Sequence, residues 1–577
     1  MPVNRAFIPS MRLEDELLLC CARIQLDSGR AERIRALVQD GVNWAYLLWK
    51  AFPHAMLPLL YWHLNATCPG AVPGSIFKQL QGHFHSNIKR NLFLTGELLS
   101  LLNMFEEHGI RALSYKGPLL AASVYGNLGL RQFADLDLLV SPREVPKAKE
   151  LLLSRGYQPR FPLSHTQEAA YLQTKSEEIF VREGGGVFVK LHWGVAPEYF
   201  SLPLDVERLW KRLQPLALGG RTLCTLSPED LLLILCVDGA TYLWGRLGRI
   251  CDVAELIRAH ERMDWQQVLE QSRRLGVERM LFLGLRLAAE LLGANLPAEV
   301  LQRVQVDPKV EALTTKVRER FLRETVSPPE ILESSLFHLR TRESWREKVR
   351  YLLSRTLTPS PGDWTFVQLP VSLSFLYPLI RPIRLLQQCE LAPLKRLLGL
   401  PSDAVTFVPT QMELVESVLS LAEVTPADIV YDLGCGDGRV VIQAAKRYGA
   451  RGVGIDIDPE RIAEANANAC KEGVDHLVTF VRQHAMAVDL SSATVVTLFM
   501  TPSWNISILP KLQEELRPGA RIVSLYTDMG NWIPLQTELM MDADGACHVM
   551  YLWRIEKALD QLAAERLARG DGIAVGV

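Results

Sequence analysis

Two aspartates separated by one residue, Asp135 and Asp137, have the spacing of a divalent-metal site. They alternate with apolar residues in a run typical of a β-strand, so both carboxylates are expected on one face of that strand. Carboxylates and substrate phosphates together are the usual ligands of Mg²⁺ in nucleotide chemistry. Lys116 and Gly117 precede a helical run and are expected to meet those phosphates. The segment therefore predicts a site for a nucleotide and a metal ion.

A second group of chemically suggestive residues lies in the last third of the chain. Gly434, Gly436 and Gly438 follow a short apolar strand at residues 429–433 and precede a helical stripe. Glycines permit a sharp turn and the close approach of a ligand to the backbone. Asp456 ends the next strand about 20 residues later, the distance at which a doubly wound sheet places a carboxylate on a ribose diol. The pattern predicts a cofactor that contains a nucleoside.

The cofactor is not expected to be a dinucleotide, because Arg439 stands where the third glycine of the pyrophosphate fingerprint would be. The motif Asp432-Leu-Gly-Cys-Gly-Asp-Gly438, followed by Gly454-Ile-Asp456, instead resembles the first two motifs of class I S-adenosylmethionine-dependent methyltransferases. The resemblance covers roughly residues 406–532. It is greatest to the small methyltransferases related to the protein-lysine methyltransferases of mitochondrial carriers and ATP synthase.

This resemblance implies a set of residues that contact S-adenosylmethionine. Asp432 would lie behind the amino group of the cofactor, and Asp456 would hold the ribose hydroxyls. Where the family usually has an acid that contacts the adenine amine, this chain has His484, which can accept a hydrogen bond as a neutral imidazole. The implied cofactor-binding residues are Asp432, Gly434, Gly436, Asp437, Asp456 and His484.

The surroundings of the two N-terminal aspartates resemble the bacterial uncharacterised nucleotidyltransferase-like family of the polymerase-β superfamily, over most of residues 90–390. The resemblance implies that Asp135 and Asp137 are the catalytic metal ligands, with Lys116 and Gly117 at the nucleotide. The third acid of that family would fall at Lys190. We expect the lysine ammonium beside both aspartates, where it competes with metal charge and makes nucleotide transfer weak or silent.

Lys190 belongs to a predicted β-hairpin formed by residues 180–183 and 187–190. With a three-residue glycine turn, Lys190 is expected to pair across from Phe180. Glu183 would then lie at the turn, so it could not replace the missing acid.

The elements that position these residues predict an α/β chain of two domains, because 577 residues exceed one ordinary core. Residues 1–390 are expected to form an α+β nucleotidyltransferase-like domain with extensive helices. A linker is predicted at 391–405. Residues 406–577 are expected to form a Rossmann-like, doubly wound methyltransferase domain.

Composition limits the partners of the protein. A net charge of −2, from 63 basic and 65 acidic residues, gives no electrostatic footprint for nucleic acid. The ten cysteines lack zinc-site spacing, which favours reduced thiols and a cytoplasmic location. The most apolar window, residues 366–380, contains two prolines and is shorter than the roughly 20 residues that span a bilayer, so no transmembrane segment is expected.

These observations predict an S-adenosylmethionine-dependent methyltransferase whose acceptor is a protein amine or a small molecule. Mg²⁺ and a nucleotide are the additional ligands considered for the N-terminal domain. The alternative is a Mg²⁺-dependent nucleotidyltransferase whose C-terminal domain senses the cofactor. A third, non-enzymatic hypothesis treats both domains as binding modules.

Overall fold

The structure is a computed structural model that describes residues 11–160, 171–172, 175–182, 186–196, 200, 206–322, 331–359, 363, 367, 376–382, 384, 410–530, 532–541 and 547–556. The predicted linker at 391–405 lies outside these residues, and so does most of the apolar window at 366–380. No helix of the described ranges is long and apolar enough to cross a membrane.

The N-terminal part begins with helices, as predicted from the spacing of leucine, alanine and arginine. The longest of them runs 34 residues, and its buried face includes Leu94, Leu98 and Phe105. Gly109, at φ +71°, follows its end. The helices are α1 (Leu13–Cys21), α2 (Ser28–Gln39), α3 (Trp44–Ala51), α4 (Leu57–Thr67) and α5 (Gly74–Glu107).

A five-stranded sheet follows these helices in the order β1-β2-β5-β4-β3. Its central pair, β2 and β5, is parallel and places Asp137 opposite Lys190. The strands and intervening helices are β1 (Ala112–Ser114), α6 (Gly117–Leu120), β2 (Asp135–Val140), α7 (Val145–Ser154), β3 (Tyr157–Pro159), β4 (Glu177–Arg182) and β5 (Val187–His192).

The predicted hairpin of β4 and β5 is present, but its predicted register is wrong by one residue. Lys190 pairs with Ile179, whereas Phe180 pairs with Val189. The reason is that Arg182 pairs with Val187, which leaves four residues in the connection instead of three. Glu183 falls outside the described residues.

A small hairpin and a helical bundle complete the N-terminal part. Helix α9 begins after Ser227, whose hydroxyl accepts a hydrogen bond from the backbone N–H of Asp230, and nearly all of its side chains are buried. The elements are α8 (Val206–Trp210), β6 (Gln214–Leu218), β7 (Arg221–Thr225), α9 (Pro228–Thr241), α10 (Leu247–Ala259), α11 (Trp265–Leu275), α12 (Glu278–Leu292), α13 (Ala298–Val306), α14 (Pro308–Leu322), α15 (Ile331–Thr341) and α16 (Trp345–Leu357).

The C-terminal part contains a seven-stranded sheet in the order β10-β9-β8-β11-β12-β14-β13. Strands β10 to β12 are parallel, and β14 and β13 are antiparallel additions. The elements are α17 (Met412–Leu421), β8 (Ile429–Leu433), α18 (Arg439–Tyr448), β9 (Arg451–Asp456), α19 (Pro459–Glu472), β10 (Val478–Arg482), β11 (Val495–Leu498), α20 (Pro502–Glu515), β12 (Arg521–Leu525), β13 (Gln536–Met541) and β14 (Cys547–Arg554).

This arrangement confirms the predicted doubly wound sheet. Central strand β11 is buried along its whole length, as expected for a strand covered on both faces. The strand order reverses direction between β8 and β11, and ligands of such folds bind outside the carboxyl ends of the strands at that point.

The two parts of the chain are in direct contact at the edge strand β13. Trp49 of α3 donates its indole N–H to Asp528 at 3.2 Å. The hydroxyl of Thr537 donates to the carbonyl of Ala45 at 3.0 Å. The backbone N–H of Leu539 donates to the side chain of Gln79 on α5 at 3.3 Å. Helices α3 and α5 therefore cover the free edge of the methyltransferase sheet.

Candidate active site and the N-terminal cavity

The glycine turn after β8 is tied to the neighbouring strand β9. The backbone N–H of Gly434 donates to the carbonyl of Ile455 at 2.8 Å. Gly434 and Gly438 have φ values of +88° and +81°, which disfavour any residue with a Cβ. A Cβ on Gly438 would also come within 2.6 Å of the Phe480 ring. The turn needs glycine both for its backbone conformation and for its packing.

Asp456 lies at the carboxyl end of β9, where its carboxylate is oriented by two backbone amides. One oxygen accepts from the N–H of Gly436 and the other from the N–H of Asp458, each at 3.0 Å. Among the described residues, no lysine, arginine or histidine forms an ion pair with it. The spare lone pairs of this carboxylate remain available for hydroxyl groups, as expected for a ribose ligand.

Asp432, at the end of β8, is 2% exposed and is also without an ion pair among the described residues. Its hydrogen-bonding partner is the hydroxyl of Thr497, which donates at 2.7 Å. Burial, together with the charges of Asp456 and Asp437, raises the pKa of Asp432 from an ordinary 3.8 to about 7, against the opposing effect of that hydrogen bond. A cation bound here would favour the ionised form.

Asp437, which the sequence also assigned to the cofactor, is engaged by its neighbour. The guanidinium of Arg439 donates to both carboxylate oxygens, with Nε 2.8 Å from Oδ1. Burial opposes ionisation, but these hydrogen bonds and the arginine charge hold the pKa of Asp437 below its ordinary value. Asp437 thus stabilises the turn, in contrast to the unpaired Asp432.

His484 presents a different atom from the one expected. Its Nδ1 accepts a hydrogen bond from the backbone N–H of Met486 at 3.2 Å. A neutral imidazole with an acceptor at Nδ1 carries its proton on Nε2. The free nitrogen of the ring is then a donor, which suits a ring nitrogen of adenine and not the adenine amine. The geometry thus differs from the predicted acceptor role.

The carboxyl ends of β11 and β12 are joined by a hydrogen-bond network that the sequence did not reveal. Asn505, 0% exposed on α20, donates to the hydroxyls of Ser524 at 3.0 Å and Thr527 at 2.8 Å. Thr527 in turn donates to the carbonyl of Met500 at 3.0 Å. The signal was an asparagine within an otherwise apolar helix, which the sequence alone could not connect to two distant strand ends.

A separate cavity of about 810 Å³ lies in the N-terminal part. It contains both predicted metal ligands, and each already has a protein partner. Asp135 forms an ion pair with Lys190 at 2.6 Å, and Asp137 accepts from Nε2 of His192 at 2.8 Å. The expectation that Lys190 places its ammonium beside these aspartates agrees with this geometry.

The electrostatics of Asp137 contrast with those of Asp432. Burial alone would raise the pKa of Asp137, but Lys116, the hydrogen bond from His192 and the charge of Lys190 together hold that pKa well below its ordinary value. No group of three or more histidine, cysteine, aspartate or glutamate side chains able to hold a metal occurs in the part of the chain that the structure describes. The residues present do not fit Mg²⁺.

Lys116, predicted to meet nucleotide phosphates, forms an ion pair with Asp238 at 2.7 Å. Arg249 contacts the second oxygen of the same aspartate at 3.1 Å. Neighbouring Gly117 has φ +51° and begins α6. Sequence patterns assigned no role to Asp238, and its position in the cavity became visible only with the packing of α9 against the sheet.

Asp252 on α10 is a further cavity residue to which the sequence assigned no role. It accepts from Nε and Nη2 of Arg131 at 2.8 and 2.9 Å, and from the hydroxyl of Tyr125 at 2.7 Å. Asp252 already lay within the nucleotidyltransferase-like pattern, which was the signal available for it.

Comparison with known proteins confirms both predicted resemblances. Residues 40–293 match the family model described as uncharacterised nucleotidyltransferase, and residues 432–536 match that of the ANTKMT methyltransferase domain. A protein-lysine N-methyltransferase of Saccharolobus islandicus (strain REY15A) is 44% identical over 153 residues, which cover 26% of this chain and 94% of that protein.

Two further similarities fall in the same region. An ATP synthase lysine N-methyltransferase of Xenopus laevis is 32% identical over 186 residues, 32% of this chain and 76% of that protein. A crystal structure of an RNA methyltransferase from Salinibacter ruber in complex with S-adenosyl-L-homocysteine has 45% identity, a TM-score of 0.25, and coverage of 26% of this chain and 96% of its own. Through its C-terminal domain, the chain belongs to the family of S-adenosylmethionine-dependent methyltransferases that includes these lysine-modifying relatives, and it carries a nucleotidyltransferase-like domain before it.

Proposed function

We propose that the C-terminal domain transfers a methyl group from S-adenosylmethionine to the side-chain amine of a lysine in a protein. The observation that carries the proposal is the buried carboxylate of Asp432, which has no cationic partner among the described residues. The two lysine N-methyltransferases that cover most of their own length on this chain support the choice of a protein amine.

The residues around the glycine turn fit the cofactor. S-adenosylmethionine supplies a methyl group activated by a sulfonium, and it also carries an ammonium group. Asp432 would neutralise that ammonium, and Asp456 would accept from the ribose hydroxyls. The Nε2 proton of His484 would donate to adenine. A carboxylate without a counter-charge in a buried position is costly unless such a cation arrives.

The acceptor would enter the crevice outside the carboxyl ends of β8, β11 and β12. The network of Asn505 and Thr527 fixes these ends relative to one another. Trp504 is partly buried against the core beside this crevice, and Trp532 packs likewise. Methyl transfer depends chiefly on alignment of the amine with the methyl group, so rigid strand ends are what this chemistry requires.

The test is transfer of labelled methyl groups from S-adenosylmethionine to fractionated cell extract. We expect label in protein, recovered as methylated lysine after complete hydrolysis, with loss of labelling in Asp432→Asn. Asp475→Asn is a matched control, because Asp475 is an exposed acid of the same domain. Label recovered in RNA or in small amines, with none in lysine, would contradict the proposed acceptor while leaving cofactor use intact.

A further inference from the structure

The charges of the N-terminal cavity do not cancel. Its lining contains six lysine or arginine residues and five aspartate or glutamate residues, a formal charge of +1 with histidines neutral. The carboxylates of Asp135, Asp238 and Asp252 each form an ion pair with a lining lysine or arginine, whereas Asp137 is bound by His192. The cavity is therefore furnished with internal counter-charges before any ligand enters.

Arg246 is the exception among the lining cations. Within the described residues it has neither an ion pair nor a side-chain hydrogen bond, and its side chain is accessible from the cavity. Partial burial and the nearby charge of Arg249 lower the pKa of Arg246. A guanidinium placed beside another guanidinium and left without a carboxylate is a favourable partner for an incoming anion.

Arg131 provides a second unused donor at the same cavity. Its Nε and Nη2 are bound to Asp252, but Nη1 is buried without a hydrogen-bond partner among the described residues. Buried polar atoms in native structures are nearly always satisfied, so a lone donor in a cavity wall indicates a missing ligand atom.

Lys190 occupies the place at which a metal would have to act. Its ammonium lies 2.6 Å from Asp135, and the charge of Asp137 also acts on it. A divalent cation at the two aspartates would have to displace this ammonium or lie against it, at a large electrostatic cost. The positive charge of the site is thus supplied by the chain itself.

We propose that this cavity binds a phosphorylated small molecule without a divalent cation, with Arg246 as the principal phosphate contact and the ammonium of Lys190 in place of the metal. The cavity volume of about 810 Å³ falls in the range of small-molecule sites, roughly 300–1,000 Å³. Binding occurs here without phosphoryl transfer, because no metal ion is held to support it.

The experiment is calorimetric titration of the full-length chain with ATP and with inorganic pyrophosphate, each in EDTA and in excess Mg²⁺. We expect binding of at least one probe in EDTA, and no gain from Mg²⁺. Arg246→Gln should weaken that binding about tenfold, the loss of one charge-assisted hydrogen bond. Arg303→Gln, a substitution of an exposed arginine outside the cavity, should change nothing.

Lys190→Asp provides a reversal test. The variant restores a third acid beside Asp135 and Asp137, so binding should be lost in EDTA and should appear with Mg²⁺. Thermal unfolding of each variant separates misfolding from lost binding. The proposal is overturned if the parent protein binds the probes only with Mg²⁺, or if it binds neither probe under either condition.

Discussion

The two halves of the chain each contain a pair of functional-looking aspartates, but they treat these acids in opposite ways. Asp135 and Asp137 are accompanied by Lys190 and His192. Asp432 and Asp456 are held by hydroxyl and amide donors alone among the described residues. One pair is already neutralised by the protein, and the other remains anionic.

The contrast shows that the charge around a carboxylate says more about its ligand than the spacing of the acids. Cations bound to Asp137 lower its pKa, so no external cation is needed. The uncompensated burial of Asp432 raises its pKa to about 7, so an ammonium ligand improves its environment. The methyltransferase site therefore awaits a cationic ligand, whereas the N-terminal cavity favours an anion.

The largest effect expected from this contrast is on stability at the N-terminal pair. Asp137→Asn should lower the free energy of unfolding by about 3 kcal/mol at pH 7, because it leaves the buried His192 and Lys116 without their carboxylate. Since the folded pKa is depressed, the stabilising effect of Asp137 exists above its unfolded pKa and is lost as pH falls below it. Denaturant unfolding of both proteins at pH 7 and pH 4 would measure this.

A somewhat smaller effect is expected on cofactor binding. Asp456→Ala removes the carboxylate that orients the glycine turn and accepts from the ribose, which should weaken binding of S-adenosylhomocysteine about 10- to 100-fold. Calorimetric titration provides the measurement, with Asp475→Asn as the control. Unchanged affinity in Asp456→Ala would show that the ribose is held elsewhere.

The same chemical substitution should have the opposite sign at Asp432. Asp432→Asn removes a buried charge that has no counter-ion, so the cofactor-free protein should gain about 1–2 kcal/mol of stability at pH 8. The gain should vanish at pH 5, because a carboxyl group with a raised pKa is then already neutral. A loss of stability at pH 8 would mean that a cation compensates Asp432 in solution.

The pH dependence of cofactor affinity is the smallest expected effect. Binding of the cofactor ammonium favours ionised Asp432, so affinity for S-adenosylhomocysteine should be constant above about pH 8. It should fall by up to about tenfold per pH unit as pH drops through 7. Asp432→Asn should bind weakly with a flat profile near pH 7. Titrations across pH 6–8.5 (about the range in which such a group titrates) would compare the two proteins.

Local patterns in the sequence predicted much of the methyltransferase site. The glycine turn, the strand before it and Asp456 after the next strand depend on short-range spacing, and all three lie where expected. The role of His484 was harder to predict, because its Nδ1 is taken by a backbone N–H only two residues away. That turn depends on backbone geometry that the residue types did not specify.

The N-terminal cavity was less accessible from the sequence. Parallel pairing of two strands placed Lys190 beside the aspartates as predicted, but the hairpin register depended on one residue more in the connection. The partners of Lys116 and Arg131 lie 122 and 121 residues away on helices. Such ion pairs follow from the packing of distant elements, which periodicity cannot reveal.

The cover over strand β13 has a consequence for how the chain can be divided. An exposed edge strand is a template for pairing with other molecules, and proteins protect it with helices or side chains. Here Gln79 of α5 binds the backbone N–H of Leu539, and Trp49 of α3 contacts the preceding loop. A fragment that begins near residue 406 would lack both helices and expose this edge to self-association. The N-terminal helices therefore act as an intramolecular guard against aggregation of the methyltransferase sheet.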